Sequence, residues 1–442
     1  MFTVYKFDRT SAAFQYLCGL IQSERRNMER MEEAVVDVDY EELQHFISGS
    51  SWDSRAVMDR VAQEVDRLVG GTGQTALILD ETAMAKKGRA SVGVARQWNG
   101  RLGKTDNSQV AVAGVLSAGD RAMLVDMELF LPEEWTNDPA RCRKVRVPEE
   151  RLAYRTKPEL ALEIVRRQRR AGIRFDYVLA DGLYGHSASF CRTLADEGET
   201  FLFHVHSNQR VYLEDPHPEI PLRQTGRGRP PTKPRAQSEP VRVDAVFPEL
   251  SPDDFQRLQV RKTTTGILEV DAYRRQVWVW DGEEETARCL TLYIRQEVNS
   301  TDEIKYCLTN APENTPLLVL ARMEAQRFFI EHAFEEAKSE VGMAEYQVRG
   351  WLAWHHHMAL VMMALLFITK QRMLHQEDSP LLSCHDIKVL LAYFLPKRQA
   401  SVQEILRQME VRHKKRLAAS RNAARRKNQG REANTMPHKL PK

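Results

Sequence analysis

Two apolar runs, each closed by an aspartate, constrain this chain more than any other feature. Residues 75–80 read TALILD and residues 177–181 read YVLAD. An uninterrupted apolar run of this length is expected as a central strand, buried on both faces. Asp80 and Asp181 therefore end two strands of one sheet, where carboxylates project at an edge open to a large substrate.

A third acid comes from a different pattern. Residues 327–338 read RFFIEHAFEEAK. At about 100° per residue, Arg327, Glu331 and Lys338 fall within roughly 40° of one another on a helix. Phe329, Ile330, Ala333, Ala337 and Val341 take the opposite side, so one face is anchored in a core and the other holds a carboxylate between two cations. An exposed helix with ion pairs is the plain alternative. The two upstream aspartates tip the balance toward three acids brought together.

The elements between them fall into a definite order. Residues 81–109, rich in Gly and Lys/Arg, are expected as a long turn or hairpin beside the first strand's end. Strands at 110–116 and 122–131 follow, so three antiparallel strands come in succession. A basic connection leads to a helix at 157–172 with a Gly stop. Next come a strand at 175–180, a helix at 186–196 and a strand at 200–206. The order β-β-β-α-β-α-β, with an acid closing the first and fourth strands, is that of a ribonuclease-H-like sheet. The expected fold class is α/β, a mixed sheet flanked by helices. The expected divisions are an N-terminal helical unit (1–72) and a core in two parts (73–206 and 313–376). An inserted β-rich subdomain (207–312) separates those parts, and a C-terminal helical region (377–411) and a disordered basic tail (412–442) follow. Arg25, Arg26 and Arg30 leave the N-terminal unit open to two readings, DNA binding or packing on the next domain.

Charge and cysteine usage narrow the function. The net charge is +3, yet residues 412–442 alone carry +10, leaving the body at about −7. A tail of that kind, poor in large apolar side chains, is expected to bind nucleic acid electrostatically. Six cysteines are scattered without a CxxC pair, which fits free thiols in a reducing cytoplasm. The start of the chain lacks the apolar run of a signal peptide, and residues 358–368 form too short an apolar stretch to span a bilayer. No membrane association is expected.

Clustered carboxylates at a sheet edge suit two-metal cleavage of phosphodiesters, in which hard oxygens hold Mg²⁺ and no side-chain nucleophile is needed. LILDETAMAKKG, SVGVARQWNGRLGKTDNSQ, VLADGLYG and the R-x3-E-x6-K pattern resemble bacterial DDE transposases, specifically the insertion sequence 701 family. That group is similar to the larger class carrying a Tyr-x2-Arg-x3-Glu-x6-Lys signature. The resemblance covers roughly residues 10–375. It implies a metal-binding triad of Asp80, Asp181 and Glu331, with Mg²⁺ as cofactor and Mn²⁺ as a substitute. It implies phosphate contacts from Arg327 and Lys338, a β-strand insertion before the third acid, and a homodimer on paired double-stranded DNA ends. Such a protein belongs in the bacterial cytoplasm, at the nucleoid. The chain departs from the pattern twice. Glu324 stands at the signature's Tyr position, and the first-acid motif reads Asp80-Glu81-Thr82 rather than Asp-Asp-Thr, which leaves Glu81 a rival ligand.

Weaker features complete the set. Lys86, Lys87, Arg96, Lys104 and Asn107 follow Asp80, where backbone phosphates are expected to pass. Arg227 and Arg229 in GRGRPP resemble the minor-groove core of an AT-hook, or form a plain basic loop. Trp278 and Trp280 share one face of an inserted strand and are base-stacking candidates, though packing is the commoner use. His355, His356 and His357 diverge by about 100° each on a helix, so they cannot share a metal ion and read as structural. Two other readings stay open: a transposase-derived DNA-binding protein without activity, and a stand-alone nuclease.

Overall fold

The run at 75–79 lies at the centre of a ten-stranded sheet in this computed structural model, which describes residues 2–4, 7–221, 231–263, 266–298 and 300–435. The first strand, β1 (Ala76–Ala85), is followed by β2 (Ala95–Asn99), β3 (Lys104–Ala118) and β4 (Arg121–Leu129). Next come β5 (Tyr177–Ala180) and β6 (Phe201–Val205), then β7 (Gln256–Thr263), β8 (Gly266–Val279), β9 (Arg288–Glu297) and β10 (Ser300–Thr309). Their spatial order is β7-β8-β9-β10-β6-β5-β1-β3-β2, with β4 also on β3. β1, β3 and β4 are successively antiparallel, whereas β5 runs parallel to β1 and β6 parallel to β5. Ala76, Leu77, Ile78 and Leu79 are fully buried, as expected of strands covered on both faces.

The inserted strands correct one expectation. They do not stand apart as a subdomain. β10 pairs antiparallel with β6, from Tyr306↔Val205 to Thr309↔Leu202, so the insertion prolongs the central sheet. The physical reason is the open edge of β6, whose unpaired N–H and C=O groups take up the next strand. A small second core of Val205, Val211, Val243, Val277, Leu292 and Ile294 seals one face of this extension.

The helices are α1 (Thr10–Gln22), α2 (Met28–Ala34), α3 (Tyr40–Ser48), α4 (Ser54–Val69), α5 (Lys157–Arg170), α6 (Ala188–Asp196), α7 (Leu317–Gln326), α8 (Phe328–Ser339), α9 (Trp351–Leu374), α10 (Cys384–Phe394) and α11 (Val402–Thr435). Helices α1, α3 and α4 pack on α9, and their apolar side chains join the same core as the sheet. Arg26 is buried there, bonded to Glu345 at 2.8 Å and to the Ser339 carbonyl at 2.9 Å. Asp126 of β4 is fully buried between Arg55 of α4 (2.6 Å) and Arg167 of α5 (2.8 Å), which fixes both helices to the sheet. Helix α9 is long and apolar enough to cross a membrane, but 78% of its most apolar window is buried inside the fold.

The basic tail is the second correction. Residues 412–435, expected to be disordered, continue helix α11. Ala, Arg and Lys are strong helix formers, and they hold the helix without an apolar face. Arg412 pairs with Glu33 at 2.5 Å and Lys415 lies 3.8 Å from Glu29, so the first cations of this stretch answer the acidic helix α2. Residues 436–442 lie outside the described residues. All six cysteines are free thiols.

Candidate active site

The register of two strands places the aspartates. The last parallel pair between β1 and β5 is Leu79↔Ala180, so Asp80 and Asp181 are the next residues on neighbouring strands. Adjacent strands lie about 4.8 Å apart. Asp80 does not end its strand, contrary to the expectation: β1 runs on to Ala85 against β3, which still supplies hydrogen bonds where β5 has stopped. Ladder pairing therefore ends on one side of Asp80 and continues on the other. Asp181 caps the helical turn Gly182–Gly185, its Oδ1 accepting from the Leu183 N–H at 3.0 Å. The two glycines of VLADGLYG follow from packing. A Cβ on Gly185 would sit 2.2 Å from the His204 carbonyl oxygen, and one on Gly182 would sit 3.0 Å from the His206 ring.

Helix α8 brings the cations. Phe329, Ile330, Ala333 and Ala337 are buried, which turns the Arg327–Glu331–Lys338 side outward over the strand of Asp80. The Arg327 guanidinium stands 3.6 Å from Asp80 and 3.6 Å from Glu331, beyond hydrogen-bond reach of either. Its Nε is buried with no partner among the described residues. The Glu331 side chain is 65% exposed. Lys338 is half-buried near Arg101 and Asp80. Burial, and then the charge of Arg101, holds its ammonium below the usual lysine range, with Asp80 opposing. Asp80 itself is pushed up to about 7, chiefly by burial; Asp181 and Glu81 add to the shift and Arg327 opposes it. Asp80 and Asp181 thus follow one another across neighbouring strands, Arg327 stands between Asp80 and Glu331 at 3.6 Å from each, and Lys338 is near enough to Asp80 to feel its charge. Among the described residues, no three His, Cys, Asp or Glu side chains are grouped to hold a metal ion.

The remaining residues singled out in the sequence divide sharply. Glu81 points to other partners, accepting from Lys157 Nζ at 2.8 Å and from the Tyr184 hydroxyl at 3.3 Å. Lys86 is turned inward, a correction to its expected place on DNA: its Nζ lies 3.3 Å from the Tyr346 ring centroid and donates to the Tyr346 carbonyl at 3.2 Å. Burial pushes its ammonium down to about 7. Asn107 is likewise structural, its amide donating to the carbonyls of Lys86 and Gly88. Lys87, Arg96 and Lys104 are exposed, with Arg96 donating to the Thr105 carbonyl at 3.1 Å. Arg227 and Arg229 lie outside the described residues. Trp278 and Trp280 are half-buried, and the Trp280 indole N–H donates to the Glu284 carbonyl at 2.9 Å. Glu324, at the signature's Tyr position, is buried against Arg295 (2.5 Å) and His204 (2.9 Å), fastening α7 to β9 and β6. These partners hold its carboxyl down at about 2 against the opposing effect of burial.

Sequence reasoning missed Arg101 and the tryptophan beside it, Trp98. The Asn-Gly pair at 99–100, a hairpin signal, marks the turn that carries both.

A family model described as DDE superfamily endonuclease matches residues 5–267, a span that holds Asp80 and Asp181 and stops before α8. A probable transposase for insertion sequence element IS701 from Microchaete diplosiphon is 32% identical over 210 residues, covering 46% of this chain. The match spans about half (51%) of that relative's length. Among solved structures, the NurA nuclease from Sulfolobus solfataricus aligns over 74% of this chain and 94% of its own, at 9% identity and a TM-score of 0.26. With most of its length matched by the family model, the chain belongs to the DDE superfamily of endonucleases.

Proposed function

We propose that this protein is a DNA transposase that binds the terminal inverted repeats of its own insertion sequence, cuts the ends and joins the 3′-hydroxyls to target DNA. One observation carries the reading: Asp80 and Asp181 follow one another across neighbouring strands, beside a mostly buried arginine whose Nε has no hydrogen-bond partner among the described residues. The strand order β4-β3-β1-β5-β6, with three antiparallel strands and then two parallel ones, supports a ribonuclease-H-like core.

The donor chemistry of Asp80 and Asp181, carboxylates on neighbouring strands, supports a divalent metal, although Glu331 is not grouped with them as the structure stands. A carboxyl pushed up to about 7 beside two further carboxylates is short of positive charge. Asp80, Asp181 and Glu331 would hold Mg²⁺, with Mn²⁺ as a substitute, through hard oxygens. Bound there, such ions activate water or a 3′-hydroxyl and stabilise the leaving oxygen. The chain's own residues do the positioning. Arg327, 3.6 Å from Asp80 and from Glu331, would take a phosphate oxygen with donors that these neighbours leave unsatisfied. Lys338 neutralises the same phosphate from a half-buried position, where its charge is weakly screened. The partners are double-stranded transposon ends and target DNA, engaged by a homodimer in the bacterial cytoplasm at the nucleoid.

The test is strand cleavage on an oligonucleotide carrying the inverted repeat that flanks the gene, with Mg²⁺ present. Nicking at the element end followed by joining is expected, and Asp181→Ala and Glu331→Ala proteins should lose both steps. Normal cutting by either variant overturns the mechanism. Specific binding without cleavage points to an inactive DNA-binding protein, and cutting of branched substrates without joining to a stand-alone nuclease.

A further inference from the structure

The β2–β3 hairpin carries an indole that the fold does not use. Trp98 is 60% exposed, and among the described residues its ring meets no other ring and no cation. Its flanks are held fast. Asn99 is buried and donates to Ser108 Oγ at 3.1 Å, while the Gln97 amide donates to the carbonyls of Gly93 (3.2 Å) and Ser108 (2.9 Å). Trp98 is therefore a large flat side chain on a rigid ribbon, displayed by anchored neighbours. Exposing it forfeits the burial that a Trp in the core would gain.

The surroundings say what the ring meets. Arg96, Arg101 and Lys104 lie on the same ribbon and Lys87 on the adjoining loop, all exposed. The turn Gly100–Leu102, two residues beyond Trp98, packs against β1, the strand of Asp80. Arg101 in that turn is close enough to Lys338 to depress its ammonium. By strand alternation Arg96 shares the Trp98 face, Arg101 stands in the turn just beyond it, and Lys104, paired with Asn99, starts from the other face; an aromatic ring beside cations is the arrangement that takes unpaired nucleotides, stacking on the bases and charge on the backbone.

We propose that Trp98 is a positioning residue that stacks on an unpaired nucleobase next to the scissile phosphate, with Arg96 and Arg101 on the neighbouring phosphates. This rests on the reading of the chain as a DNA-cutting transposase and deepens it. Base–aromatic stacking of about 1–3 kcal/mol corresponds to roughly a 5- to 150-fold effect.

Two oligonucleotides from the DNA flanking the gene test the idea: one fully paired, the other left unpaired at the cleavage point. W98A should cut the paired one at least 5-fold more slowly than the natural protein and the unpaired one within about 2-fold, and W98F should recover most of the rate. W98A cutting the paired substrate as fast as the natural protein, or losing rate equally on both, overturns the proposal. A second readout is the fluorescence of 2-aminopurine in a single-stranded oligonucleotide of the same sequence, without metal. Quenching that disappears in W98A supports stacking even if the natural protein cuts nothing, in which case only the transposase reading fails. Equal quenching by W98A and the natural protein, or none by either, sinks the stacking itself.

Discussion

Lowering the pH should destabilise this protein through His357, by an amount that the structure sets. His357 is fully buried on α9 with its Nδ1 2.9 Å from the Tyr16 hydroxyl, joining the N-terminal helices to the core. Burial, and then the charge of Lys86, pushes the imidazole down to about 3, against about 6.5 in an unfolded chain. The unfolded state therefore binds the proton first. The contribution is complete above pH 6.5 and is lost as pH falls toward 3, at about 1.4 kcal/mol per unit. Between pH 7 and pH 5 the loss from this one group is about 2 kcal/mol. Urea denaturation at both values, for the natural protein and His357→Gln, isolates it, because the other titrating groups cancel in the difference. The natural protein should lose about 2 kcal/mol more than the variant over that interval. Equal losses would show that His357 is not buried as a neutral ring, and the structural reading of the three adjacent histidines would fall with it.

Other predictions concern single side chains. Glu324→Ala leaves the buried Arg295 with only Glu297, at 2.9 Å, for a partner and should cost about 3 kcal/mol in denaturant melts, whereas the double variant Glu324→Leu/Arg295→Met recovers most of it; a single variant as stable as the double contradicts the buried pair. Lys87→Ala or Lys104→Ala should lower the salt dependence of DNA binding by about one ion each, while Lys86→Met leaves the slope unchanged, since Lys86 is packed on Tyr346. In a cleavage assay, Glu81→Gln should retain measurable cutting and Asp80→Asn none, because Glu81 is engaged by Lys157 and Tyr184; the reverse pattern makes Glu81 the ligand.

The sequence disclosed the centre of the sheet because unbroken apolar runs have few other uses, and it set Asp80 and Asp181 on neighbouring strands, though it ended the first strand five residues too soon. Helix α8 was legible for the same reason: its apolar stripe fixes which side holds Arg327, Glu331 and Lys338. What stayed hidden depends on contacts between distant residues. Lys86 reads as one more cation in a basic turn until Tyr346, 260 residues away, folds over it. β10 reads as part of a separate unit until it meets the open edge of β6. The tail illustrates a different failure: low apolar content argued for disorder, but helix-forming residues, with ion pairs to α2 at their start, carry α11 through residue 435. Trp98 escaped notice because exposure is not written in a strand's alternation when both neighbours are polar.

The central claim is that three acids, distant along the chain, converge on divalent metal. Replacing Mg²⁺ by Fe²⁺ and adding ascorbate and peroxide generates hydroxyl radicals at the bound ion, which cut the nearest backbone. Fragment mapping on DNA-bound protein should find cuts close to residues 80, 181 and 331, all suppressed by excess Mg²⁺. Cuts near residues 80 and 181 with the chain around residue 331 left whole, or cuts at none of the three, would contradict the account.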